Sequence, residues 1–475
     1  MAQPLANYFQ GSLLSIVASD ERQRKQRMDD AWAAYYGHTP DPLIIKPGQA
    51  DDNVKVNKAR VVVDKGVSFL FGGDITFQCD ETAPAGAQQW LDACWKANRQ
   101  GSLLHDLALN GGVCGHTFLK VDLPNPAEGE EFPQLSVQDP ATYSVVWDPR
   151  NIKRVLSFTV QWNAVDPTST KVMNYKQEIV KSGNGWTITD KESKPDSSTW
   201  AVTNTVRWPY PWAPVAQCKN LPAPNEWWGI SDIEADVLGL NRAASFTLSN
   251  AQRIIRFHGH PKTVTSGVSG ADINVDVDGV ISLLSPDAKM WNLEMQSDLQ
   301  STINQYEKIC EAIHEVARVP AISTGTLDKL GPLSGVALKV LYQPLIEKTD
   351  SKRTLYGEML QDLCTNLLAL GGYPKCPVTI TWPEMLPVDP LQELQTLLLM
   401  DQLGIISKQT MADKVHLDWK TEQDNLADEA KEDAAAAPPA VPDVPGQPGE
   451  NPAQTMPPAP ILNAAPDRGM KPQGA

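Results

Sequence analysis

Two histidines one residue apart, His258-Gly-His260, stand just before Pro261, and Cys114-Gly-His116 repeats the spacing with a thiol. Imidazole and thiolate so placed can share one zinc ion, but a tetrahedral site needs two further ligands, and neither pair has them nearby. Asp272, Asp276 and Asp278 resemble half of a calcium loop without its glycine and closing glutamate, so a solvated strand edge accounts for them. In the run Asp20-Glu-Arg-Gln-Arg-Lys-Gln-Arg27, the cations Arg22, Arg24, Lys25 and Arg27 could touch phosphate or simply form a solvated helix face. No Walker A lysine motif, no G-x-S-x-G elbow and no G-x-G-x-x-G opening a helix occur. The seven cysteines (Cys79, Cys94, Cys114, Cys218, Cys310, Cys364, Cys376) are scattered and include no C-x-x-C, as expected of reduced, buried thiols. The residues therefore lead to an expectation of no catalytic site, no metal and no cofactor.

What remains is architecture, and the stretch from Trp228 to Leu370 carries most of it. Ser231-Asp-Ile-Glu234 reads as a capping box, with the serine on the third amide and the glutamate reaching back. Ile233, Val237, Leu240, Ala244, Leu248, Ala251 and Ile255 then recur every three or four residues, one apolar stripe on a helix. A second helix starts at Ser297, with Leu299, Ile303, Tyr306, Cys310, Ile313 and Ala317 on one face, and ends before Pro320. Each would be about 30–35 Å long, a stalk rather than a pocket. Between them, residues 257–296 are rich in Gly, Val and Asp and read as a small strand-containing module. A glycine-marked loop follows to Leu333, and a third helix runs from Ser334 to Gly371-Gly372, with Pro344 predicting a kink.

The chain before this stretch opens with a helix stopped by Gly37 and Pro40. A second helix from Asn57 ends at Gly72-Gly73, glycines suited to a positive-φ cap, and a strand over residues 74–79 follows. Helices are expected over 87–98 and 103–110, the latter capped by Gly111-Gly112. From Val113 to about Arg207 the texture changes to short strands, with Asn184-Gly185 as a hairpin signal. A proline-rich crossing leads to Trp228. After the third helix come a strand at Val378–Trp382 and helices over 389–403 and 410–415. From about Ala434 the composition is Pro/Ala-rich, too poor in large apolar groups to offset the entropy of ordering. The fold class is α+β, with a largely antiparallel sheet.

A net charge of −16 over 475 residues argues against a generally basic, DNA-gripping surface. The 14 tryptophans fall mostly on apolar faces or beside prolines, which suits core packing and subunit contact better than base stacking. No apolar run approaches the ~20 residues of a membrane span, and Met1 to Phe9 lacks the pattern of a signal peptide.

Several motifs in order resemble the portal (head–tail connector) proteins of long-tailed bacteriophages. Asn57-x-x-Arg60-x-Val-Val-Asp64 with Phe69-Leu-Phe-Gly72 is similar to the family's early wing helix, and Val137-Gln-Asp-Pro140 through Val145-Val-Trp-Asp148 to its strand signature. Trp228-Gly-Ile-Ser-Asp232 with Asn241 resembles the entry to the stem. Ile313-His314 to Pro320 and Ser334-Gly-Val-Ala-Leu338 resemble the segments that bracket the tunnel loop. Ile380-Thr-Trp382, Pro387-x-Asp389 and Leu403-Gly-Ile-Ile-Ser407 resemble the closing wing strand and crown helices. The likeness spans about residues 10–425.

The resemblance implies a wing (1–225), a first stem helix (226–256), a clip (257–296), a second stem helix (297–320) and a tunnel loop (321–333). A kinked helix with the closing wing strand (334–383), a crown (384–433) and a Pro/Ala-rich tail (434–475) complete the chain. It implies a homo-oligomeric ring, a dodecamer, at one capsid vertex of the virion, assembled in the host cytoplasm. Double-stranded DNA would pass through without sequence readout. Partners would be the terminase large subunit, a head–tail adaptor, and the major capsid and scaffold proteins, with no membrane involved. The DNA-facing loop would hold Gly325, Thr326, Leu327, Asp328, Lys329, Leu330 and Gly331. His258, His260, Lys262, Asp272, Asp276 and Asp278 would form the clip surface for motor and adaptor. A structural ring or minor capsid protein without DNA passage is the alternative; an enzyme would need a carboxylate or Ser/His cluster in the sheet region.

Overall fold

A computed structural model of the chain describes residues 13–48, 50–166, 170–195, 197–259, 263–266, 287, 289–292, 299–320, 335–386, 390–414 and 419–436. The expected loop at 321–333, most of the expected module at 257–296 and the tail beyond 436 lie outside the described residues. The chain divides into two units, residues 1–388 and 389–475.

The first unit begins with α1 (Leu13–Tyr35) and α2 (Lys58–Phe71), the latter capped by the Asn57 side chain, which accepts from the Arg60 amide at 2.9 Å. Gly72 closes α2 at φ −75°, in the right-handed region, so the expected positive-φ cap is not used there. β1 (Thr76–Cys79) and α3 (Ala87–Ala97) follow. The next helix, α4 (Gln100–Cys114), runs straight through Gly111-Gly112 and is capped at Gly115, at φ +80°. The two glycines therefore serve close approach rather than termination. A Cβ on Gly111 would overlap the Tyr356 hydroxyl, and one on Gly112 would crowd Val63 and Asp232.

The sheets are antiparallel throughout the described residues. β2 (His116–Asp122) is central to a three-stranded sheet, between β3 (Gln134–Gln138) and β9 (Val215–Lys219). β9 lies in the proline-rich crossing, where no strand was expected. It is five residues long, follows Pro214 closely and buries Val215 and Cys218, three apart, so no period of two revealed it. A second sheet runs in simple meander order: β4 (Tyr143–Asp148), β5 (Asn151–Val165), β6 (Val172–Ser182), β7 (Gly185–Ser193) and β8 (Ala201–Trp208). The hairpin joining β6 to β7 pairs Ser182 with Gly185, so its two-residue loop is Gly183-Asn184, one position earlier than the Asn-Gly signal indicated.

α5 (Ala235–Gly259) and α6 (Leu299–Ala317) pack along each other, and the short antiparallel pair β10 (Thr263–Ser266) and β11 (Lys289–Asn292) lies between them in sequence. α7 (Gly335–Leu370) is 36 residues long and carries Pro344 inside it. It leads through Gly372 at φ +80° to β12 (Val378–Thr381), which pairs with β1. One continuous apolar core joins α2, α3, α4, β2, β4, β5 and α7 through Val63, Trp95, Leu107, Phe118, Tyr143, Phe158 and Leu360. Each such side chain, fully buried, contributes about 1.5–3 kcal/mol. The second unit contains α8 (Pro390–Gln402), α9 (Lys408–Lys414) and α10 (Trp419–Ala436), with Gly404 at φ +66° after α8. α10 was not expected, because its acidic sequence has only Trp419 and Leu426 as large apolar groups.

Candidate functional site

The root of the α5–α6 pair is built around Asp232, fully buried just before α5. Lys352 Nζ lies 2.5 Å from one carboxylate oxygen and Lys348 Nζ 3.0 Å from the other. The lysines stand one helical turn apart on α7, so both ammonium groups meet the same carboxylate. Asn220 Nδ2 donates to Asp232 Oδ1 at 3.2 Å, and the Asp232 amide donates to Gly112 O at 2.8 Å. Burial alone would raise the Asp232 pKa, but Lys352 and Lys348 outweigh it and hold the carboxyl below its usual range. Burial pushes Lys352 below the ordinary lysine value, against the pull of Asp232.

Two lysines against one aspartate leave an excess cation, and α6 supplies its second partner. Lys348 Nζ donates to Ala317 O at 3.0 Å, at the C-terminal end of α6, where unpaired carbonyls and the helix dipole favour positive charge. The backbone just beyond is held as well. Lys65 Nζ on α2 donates to Pro320 O at 3.4 Å, and His314 Nδ1 lies 3.2 Å from Val319 O. Contacts from α2, α6 and α7 therefore hold the chain at the point where it leaves for residues 321–334.

The expected capping box is half realised. Glu234 accepts from the Ser231 amide at 2.9 Å, as the spacing predicts. The serine hydroxyl accepts from the Ile233 amide at 3.0 Å and donates to the end of α4, where Gly112 O and Val113 O lie 2.9 and 2.7 Å away. This cap joins α5 to α4. The close packing depends on Gly115, whose Cβ, were it present, would lie 2.7 Å from the Ser231 amide nitrogen.

A second feature escaped sequence reading altogether. The extended segment between α1 and α2 runs along α5 as a polar strap. Lys58 N donates to Asn241 Oδ1, Val56 N to Ser245 Oγ and Val54 N to Ser249 Oγ, at 2.9, 3.1 and 2.9 Å. Asp52, 3% exposed, then accepts from Arg256 Nη2 at 2.6 Å and from Arg253 Nε at 3.4 Å. The register closes because two residues of extended chain span about 6.6 Å and four residues of helix about 6 Å. The signal in the sequence was Asn241, Ser245, Ser249 and Arg253, a four-residue polar repeat beside the apolar stripe.

The basic run on α1 divides. Arg24 is buried, not solvated: its guanidinium lies 3.8 Å from the Trp228 ring centroid and donates to Tyr143 O at 2.7 Å. Burial lowers its pKa to about 10. Lys25 Nζ donates to Ser144 Oγ at 3.2 Å. These two residues dock α1 on β4. His116 is buried against Trp227, ring centroids 4.5 Å apart, with Nε2 2.7 Å from Gln217 Oε1. Burial drops its pKa to about 3, so the ring is neutral. Cys114, its sequence partner, has Sγ 4.0 Å from Asp139 Oδ1. Among the described residues, no three His, Cys, Asp or Glu side chains gather as a metal site. Pro344 lies on an exposed turn of α7. His258 falls on the last turn of α5; its side chain, together with His260, Lys262, Asp272, Asp276, Asp278 and the loop Gly325 to Gly331, lies outside the described residues.

A family model described as "Phage portal protein, SPP1 Gp6-like" matches residues 15–196 and 249–436. The chain belongs to the phage portal protein family. A solved structure titled as the neck of an empty GTA particle computed with C6 symmetry is similar at 15% identity and a TM-score of 0.38, over 77% of this chain and 96% of that one. No curated protein matches. Membership gives the chain a phage portal role, as a structural subunit of an oligomeric ring in the virion. In this portal subunit the buried Asp232, the strap and the Arg24 contact are scaffold devices: the first ties α4 and α7 to the root of the α5–α6 pair, the second ties the α1–α2 segment to α5, and the third docks α1 on β4. No helix among the described residues is long and apolar enough to cross a membrane.

Proposed function

We propose that the chain forms a closed ring, a dodecamer, at one capsid vertex, through which the genome is packaged and later ejected. The observation that carries the reading is the family match over most of the chain. The paired helices α5 and α6 supply a stem, and their exposed side chains, among them Phe246 and Ile303, offer surface for a head-to-tail neighbour that closes a ring. Residues 257–296 form the clip that meets the terminase large subunit and then the head–tail adaptor, through His258, His260, Lys262, Asp272, Asp276 and Asp278. Residues 321–333 form the loop that faces DNA, with Lys329 its cationic contact and Pro344 a kink in the helix behind. Scaffold and major capsid proteins surround the ring during assembly.

A net charge of −16 supports this use. DNA presents a charge every ~1.7 Å along its axis, and each ionic contact in the lumen would have to break as the duplex advances. Negative-stain images of the purified protein test the proposal: rings with a central hole are expected, and their top views report the subunit number. A protein that stays monomeric even with capsid and scaffold proteins present overturns it. Rings that form normally, together with particles that still package DNA when the chain is absent, would favour a minor capsid role.

A further inference from the structure

Cys79 ends β1 and Cys376 lies two residues before β12, the strand that pairs with it. The register places Cys79 opposite Val378, and the ladder continues through Asp80 N donating to Pro377 O at 3.0 Å. Cys376 is therefore the diagonal neighbour of Cys79 on one face of the two-stranded sheet, a pair that a small shift of the strand ends would bring to bonding distance. Cys376 lies near enough to help raise the Cys79 pKa. They differ in access. Cys376 is 5% exposed, whereas Cys79 is half-buried and lines an open cleft of about 700 Å³ together with Gln78, Asp80, Gln88 and Asp92. Cys79 thus borders a space large enough for a small reagent, and Cys376 is its cross-strand neighbour.

We propose that Cys79 and Cys376 are a redox modification site, a dithiol that a low-molecular-weight disulfide converts into a covalent latch between β1 and β12. The Cys79 thiolate attacks one sulfur of the incoming disulfide, forms a mixed disulfide and releases the first small thiolate. The Cys376 thiolate then attacks Cys79 Sγ, forms the internal bond and releases the second. Both protein thiol protons leave, the two protein sulfurs are oxidised, and one small disulfide becomes two small thiols. Cellular thiols keep the pair reduced during assembly, while a released particle meets an environment in which disulfides persist. Burial and Cys376 raise the Cys79 pKa to about 11, so little thiolate is present at neutral pH and closure is slow. Its rate rises about tenfold per pH unit between pH 7 and 9. The latch would cross-link two strands almost three hundred residues apart, and so restrain the unfolded chain strongly.

The test is oxidation of the full, reduced chain with glutathione disulfide at pH 7, 8 and 9, followed by peptide mapping without reduction. The expected product is a Cys79–Cys376 bond, with the count of free thiols falling by two from seven. The oxidised protein should unfold at a higher temperature than the reduced one. Cys376→Ser should stop at a lasting glutathione adduct on Cys79, and Cys79→Ser should leave Cys376 unmodified. The proposal is overturned by a stable glutathione adduct on Cys79 in the unsubstituted chain, or by pairing of Cys79 with Cys364. It is also overturned if the native chain loses no thiols at pH 9 while the guanidine-unfolded chain does. The wild-type readouts need no variant, so a substitution that fails to fold leaves the test intact.

Discussion

Asp232 is the residue on which most partners converge. Asn220, Lys348 and Lys352 all contact its carboxylate, and the carboxylate also packs against Gly66 and Gly112. Replacing it by Asn leaves two buried ammonium groups uncompensated, which should cost about 3–5 kcal/mol in unfolding experiments. Adding Lys352→Met to that variant should recover part of the loss, because removing a buried pair together is far milder than breaking it. His116 sets a pH dependence. Its folded pKa is about 3 against 6.5 for the free side chain, so the unfolded chain binds the proton first as pH falls. Stability from this residue is complete above pH 6.5 and declines by about 1.4 kcal/mol per pH unit below it, towards pH 3. In His116→Phe, which keeps a ring against Trp227, the slope of unfolding free energy between pH 6 and 4 should fall by about one proton.

At the scale of elements, the strap along α5 is the joint between the first two helices and the α5–α6 pair. Ser249 both accepts from Val54 N and donates to Val54 O, at 2.9 and 3.2 Å, across 195 residues of sequence. Ser249→Ala would leave the Val54 amide without that partner on a buried face of α5. The expected loss is about 1–3 kcal/mol, with faster amide exchange confined to residues 52–58. Unchanged exchange there would mean that the Asp52 ion pairs alone hold the segment. The apolar stripe of α5 was legible from spacing: Val237, Ala244 and Ala251 are buried, as expected, and so is Ile233 just before the helix begins at Ala235. Ile255 is 48% exposed and Ile303 on α6 is 39% exposed. Periodicity records which residues share a face, and the exposure of that face depends on what else packs there.

On the scale of the whole molecule, the continuous core lies within the first unit, its last buried member being Val378. A chain ending at Val388 should therefore fold cooperatively, with a thermal midpoint within about 3 °C of the full protein. Circular dichroism melts of the two chains provide the comparison, and a large drop would show that the second unit is required for the first to be stable. Ring formation by the truncated chain, viewed by the same electron microscopy, reports separately on assembly.

Local chemistry in the sequence determined the elements: the three-and-four spacing of α5, the hairpin near Gly183, the helix from Asn57 and the α+β class. It also carried the ordered motifs by which the portal family was legible. Only tertiary structure decided what Gly111, Gly112, Asp232 and Arg24 do. Gly111-Gly112 looked like a helix end because a glycine pair commonly is one; its true role appears only when Tyr356 and Asp232 come against it. Asp232 and Lys352 stand 120 residues apart, and no local pattern links them. A charge in a sequence is read as solvated until the fold removes its water, and the partners that compensate for that loss come from elements distant in the chain.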